Sequence, residues 1–126
     1  MQLEETPFKT GDLVRLKSSY DIIMTVGKIQ AKGTYTVEVL WFDRDNALHH
    51  QSADSPQMKL DWLSRLGHIV TEGNPIKEGD VVRLKSGGPP LIVSRVHTDM
   101  ARCSWFYGKD GLQTSSNIPL NALLPL

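Results

Sequence analysis

Residues 11–19 read GDLVRLKSS and residues 79–87 read GDVVRLKSG. Two near-identical segments in a chain of 126 residues mark an internal repeat, and the fold is read outward from it. The match runs without a gap from Phe8–Ser18 to Ile76–Ser86. Met24-Thr25-Val26 then matches Leu91-Ile92-Val93 after a one-residue change in length. Val39-Leu40-Trp41-Phe42 matches Cys103-Ser104-Trp105-Phe106, and Leu60-Asp61-Trp62-Leu63 matches Leu120-Asn121-Ala122-Leu123. Four blocks in one order are one unit written twice.

The unit reads as β. In LVRLK, Val14 and Leu16 fall on one side and Arg15 and Lys17 on the other, the alternation of a half-buried strand. DIIMTVGKI and PLIVSRV are short β-branched runs bounded by turn residues, and TYTVEVLWF and MARCSWFY supply a third strand. Gly33 and His97-Thr98-Asp99 provide the turns before those third strands. Gly11-Asp12 and Gly79-Asp80 punctuate the strand starts, glycine for the tight turn and aspartate as an acceptor for backbone N–H groups. Each L-x-x-L ending suits a 3₁₀ turn or a terminal strand. The expected fold class is all-β, two tandem small SH3-like β-barrel units. The first spans 1–63 with an inserted polar loop at 44–57, 64–75 is a connector, and the second unit spans 76–126.

The second unit resembles the YodC-like family of small bacterial proteins, through GDVVRLKSGGPPLIV, CSWF and the terminal PLNALLPL. Residues 8–63 resemble it more weakly: Tyr20-Asp21-Ile22-Ile23 replaces Gly-Gly-Pro-Pro, Val39 stands where the cysteine would be, and a long loop is inserted. The resemblance implies a small β fold and a tandem of family units. It implies no activity, and a first unit without whatever the Gly-Gly-Pro loop does.

Composition excludes several functions. Formal net charge is zero, which argues against bulk coating of nucleic acid, a mode driven by neutralised phosphates. The halves differ slightly: residues 1–72 carry eight basic and ten acidic side chains, residues 73–126 six and four. A single cysteine suits a reducing compartment, the N-terminus has no secretory pattern, and no apolar run could span a membrane. A cytoplasmic protein is expected. His49-His50 are placed in a polar loop, and His68, His97 and Cys103 are scattered, so neither a metal site nor a cofactor is expected. KSGGPP lacks the spacing of a phosphate loop. Cys103 lies inside a strand, as a small buried hydrophobe, and Asp12 and Asp80 serve as turn caps. The chain is not expected to be an enzyme.

The candidate binding surface is Arg15, Lys17, Phe42, Arg83, Lys85 and Phe106. Adjacent strand residues face opposite sides, so each Trp-Phe pair places one ring in the core and one outside. The outer rings, Phe42 and Phe106, suit either packing between units or a ligand platform. The expected function is a non-enzymatic binding or adaptor module with a protein partner. The alternative is RNA or single-stranded DNA held by the basic first strands through stacking and phosphate contacts. A homo-oligomer built on the duplication is a third reading.

Overall fold

The structure is a computed structural model that describes residues 8–19, 21–32, 34–53, 58–59, 62–70, 75–107 and 111–126. Expectations placed on the N-terminal segment, Tyr20, Gly33, part of the inserted loop (54–57), Leu60-Asp61, residues 71–74 and 108–110 lie outside that set.

The described chain is all-β. Strands β1 (Asp12–Leu16), β2 (Met24–Lys32), β3 (Thr34–Phe42), β4 (Leu48–Ala53) and β5 (Leu63–His68) form one antiparallel sheet, ordered β4-β3-β2-β1-β5. Strands β6 (Val81–Leu84), β7 (Leu91–His97), β8 (Met100–Tyr107), β9 (Gly111–Pro119) and β10 (Leu123–Pro125) form a second, ordered β10-β6-β7-β8-β9. Strand for strand, the order is the same. A 3₁₀ turn, Leu120–Ala122, precedes β10, as the second L-x-x-L ending suggests.

The repeat persists at the level of single hydrogen bonds. The Lys9 N–H donates to Asp12 Oδ2 at 2.8 Å, and the Lys77 N–H to Asp80 Oδ2 at 2.9 Å, the capping role expected of both aspartates. The Gly11 N–H donates to the Val26 carbonyl and the Gly79 N–H to that of Val93, at 2.8 and 2.7 Å. Both glycines have positive φ, +97° and +89°, a conformation that costs any other residue about 1–2 kcal/mol. Thr98-Asp99 joins β7 to β8 as a two-residue turn, with Thr98 in the left-handed region.

Each sheet buries one face. Phe8, Val14, Met24, Val26, Val37, Val39, Ala53, Met58 and Leu63 form the first core. Val82, Leu84, Leu91, Val93, Ala101, Cys103, Trp105, Ile118 and Leu123 are in the second. Val14, Val82 and Leu84 are fully buried as expected; Leu16 is only half-buried against the first core.

Four expectations are corrected. The sheets are not closed barrels: among the described residues, β4 does not pair with β5 nor β9 with β10. Strand β10 is only three residues long, too short to bridge a gap, and side chains of the first sheet complete the second core instead. The inserted loop contains β4, because Leu48–Ala53 pairs with β3 from Phe42↔Leu48 to Val37↔Ala53. His49 and His50 therefore lie on a strand. His49 stacks on Trp41, with ring centroids 5.3 Å apart, and bonds Asp43 at 2.8 Å; His50 is 3.7 Å from Glu38. Finally, β5 runs to His68 in register with β1, so residues 64–68 of the expected connector belong to the first sheet. Polar residues at an edge need cover only one face, which is why their composition reads as loop.

Candidate docking surface

Alternation along β3 decides how the two units meet. Val37, Val39 and Trp41 face the first core; Leu40 and Phe42 face the other way. That outer face is not in solvent. Leu40 is 3% exposed and belongs to the second core, and Phe42 and Leu48 pack against it. The Phe42 ring meets Trp105 edge-on, centroids 5.2 Å apart at 90°, a favoured aromatic geometry. The Trp105 indole N–H donates to the Asn46 carbonyl at 2.7 Å, so the buried donor is satisfied from the first unit. Thr25, also fully buried, bonds the Ser86 hydroxyl at 2.7 Å and accepts the Ser86 N–H at 2.8 Å.

Gly88 explains the Gly-Gly-Pro loop. With φ at +123°, its Cα lies against Phe42, and a Cβ would overlap that ring. Gly87, at +108°, has open space around it. One glycine is needed for the turn; the other is needed for the turn and for the ring.

A polar cluster lies beside this seam. Asp12, fully buried, accepts from Arg65 Nε at 3.0 Å and bonds His68 Nδ1 at 2.7 Å. Burial pushes the Asp12 carboxyl up; the hydrogen bonds from the Lys9 N–H, Arg65 and His68 outweigh it, and the group sits below its ordinary value. Lys85 of the second unit is 5% exposed, its ammonium close to Gly11. Burial pulls its pKa down while the attraction of Asp12 opposes.

The six candidate surface residues divide accordingly. Lys17 and Arg83 are exposed, and Arg15 is half-buried. Lys85 and Phe42 are taken up at the seam: Lys85 because β6 ends at Leu84 and the following turn carries its side chain inward, Phe42 because the second unit covers the face it lies on. Phe106 is 78% exposed.

The outer face of the second sheet carries apolar side chains on the Phe106 side and arginines on the other, with Ser104 between them. Phe106 pairs with Leu112, and Val81 with Ile92, all four exposed. Arg83, Arg95 and Arg102 are exposed as well, and Glu78, Ser94, Arg95, Arg102, Ser104 and Thr114 line one shallow depression. Sequence reasoning found Phe106 but missed Ile92 and Leu112. The signal was in the repeat: Thr25 pairs with Leu40 in the first sheet, Ile92 with Ser104 in the second, so apolar and hydroxyl side chains have exchanged strands.

Cys103 is fully buried, and burial pushes its thiol up to about 11, consistent with a core role. Among the described residues, no group of three or more His, Cys, Asp or Glu gathers, and no helix is long and apolar enough to cross a membrane.

A family described as an uncharacterized small protein (DUF2158) matches residues 77–116, the stretch that holds the Gly-Gly-Pro loop, Cys103 and Trp105. No curated protein and no solved structure matches the chain.

Proposed function

We propose that the chain is a non-enzymatic docking module of two YodC-like, SH3-like units, working in the cytoplasm, whose second sheet receives a protein partner on its outer face. The observation that carries this is internal. The position of Phe106 in the first unit is Phe42, and Phe42 is bound to a protein surface, that of the second unit. Leu112 stands likewise where Leu48 packs. A face built to the same plan, left open with Val81, Ile92, Phe106 and Leu112 exposed, suits an apolar anchor flanked by polar side chains.

One observation favours nucleic acid as a second reading. Arg83, Arg95 and Arg102 share the face with Phe106, and an exposed ring among arginines can stack a base and neutralise phosphates. The basic first strands are less suited to it, since Lys85 is buried.

Affinity capture from native lysate, with and without nuclease, tests both. A protein partner survives nuclease and is lost with Phe106→Asp. A complex that disappears with nuclease and weakens in salt, with a log–log slope of roughly 0.7 per phosphate, supports nucleic acid instead.

A further inference from the structure

The contact between the units is heterologous: the outer face of one sheet meets the core end of the next unit. Each half of that contact occurs twice in the chain and is used once. The outer face is covered in the first unit (Phe42, Leu48) and open in the second (Phe106, Leu112). Among the described residues the core end is filled in the second unit, where Trp105 is 3% exposed, and less so in the first, where Trp41 is stacked by His49 but only partly covered. Beside Trp41 lies an almost wholly apolar cavity of about 100 Å³, lined by Leu16, Ile22, Met24 and Met58 among others. A wider cleft adjoins it, and Ile22 and Ile23 on its wall are 48% and 41% exposed.

From this we infer that the occupant of the Phe106 face is a second copy of the same chain, docked head to tail. Phe106 and Leu112 of one copy seat on the Trp41 end of the next and repeat the internal contact. Charge fits the same polarity. The open face carries Arg83, Arg95 and Arg102 against Glu78, whereas Asp21, Asp43 and Arg44 line the cleft at the Trp41 end, where Asp43 also bonds His49 and Asp45 is nearby. Two Phe106 faces packed on each other would set those arginines against their own kind, which disfavours a two-fold dimer. A heterologous contact that does not close extends into chains of copies.

The intermolecular contact is weaker than the internal one. Ser104 replaces Leu40 at the centre of the face, and the sequence at 19–21 has no glycine to match Gly88. The internal contact also gains from the tether between the units, through a high effective concentration.

The inference rests on the docking function proposed above, and sedimentation velocity on the full chain separates the two. From ~10 μM to ~1 mM the weight-average sedimentation coefficient should climb past that of a dimer without a plateau, the behaviour of an open-ended contact of modest affinity. Phe106→Asp and Ile22→Asp, both at exposed positions, should each hold the chain monomeric. An equimolar mixture of the two variants retains one good contact and should give a 1:1 dimer that grows no further. A wild-type monomer throughout, growth that persists in Ile22→Asp, or association that nuclease abolishes would overturn the inference. Capture of a different protein through Phe106 by a chain that stays monomeric would also overturn it, yet leave the docking function standing. Loss of both self-association and capture would remove the docking function as well.

Discussion

Phe42 and Phe106 occupy the same place in the same strand of the same fold, and they have opposite surroundings. Phe42 is seated against Trp105 over Gly88, while Phe106 projects into solvent at 78% exposure. The unit therefore does not determine what its outer ring does; the neighbour does. A duplicated domain with a heterologous contact always has one copy of each contact surface left over. Among the described residues both leftovers, the Phe106 face and the Trp41 end, keep apolar surface exposed.

Paired substitutions probe that difference, beginning with the cores. Leu84→Ala should cost ~2–5 kcal/mol, because the side chain is fully buried. Leu16→Ala at the matching, half-buried position should cost only about 1 kcal/mol in the same denaturant melts. Equal losses would mean that the first core closes over Leu16 in solution.

The outer rings should differ nearly as much. Phe42→Ala should destabilise by about 2–3 kcal/mol, less than a fully buried ring, and Phe106→Ala by less than ~0.5 kcal/mol. Indistinguishable melts would break the comparison outright.

Smaller again is the contrast between two glycines. Both Gly87→Ala and Gly88→Ala meet the cost of a positive φ, about 1–2 kcal/mol. Only Gly88→Ala also collides with Phe42, so it should lose more, and Phe42→Ala should relieve that extra loss in a double-mutant cycle.

Two titrations give the finest discrimination. Asp12 sits below its ordinary value of 3.8 in the fold, so its contribution is complete above about pH 4 and is lost as pH falls through the folded value. Asp12→Asn, which removes the carboxylate that bonds Arg65 and His68, should flatten the acid limb of a stability–pH profile. Cys103 works in the opposite sense. Its thiol is raised from 9.0 to about 11, so its contribution is complete below pH 9 and is lost as pH rises toward 11. Thiol reagents should label it slowly in the native protein and fast in denaturant.

Much of this was legible in the sequence because the repeat samples each strand twice. GDLVRLK and GDVVRLK report the same turn, the same capping aspartate and the same buried positions, and the third strands follow from WF and WF. What escaped depends on what lies above a residue. Leu48–Ala53 is too polar to read as a strand by composition, because it is an edge whose histidines lean on Trp41 and Glu38. Lys85 reads as a strand-face cation, yet it enters the seam beyond the end of β6. Alternation told that Phe42 and Phe106 face outward. It could not tell which of them had a neighbour.

The chain has three phenylalanines, and the central claim orders them. Fluorine NMR of the fluorophenylalanine-labelled chain with a soluble paramagnetic agent measures that order directly. The Phe106 resonance should broaden strongly, Phe42 should be largely protected, and Phe8, 5% exposed, should be protected most. Phe42 and Phe106 broadening alike would contradict the account, because the first sheet would then not be seated on the second unit.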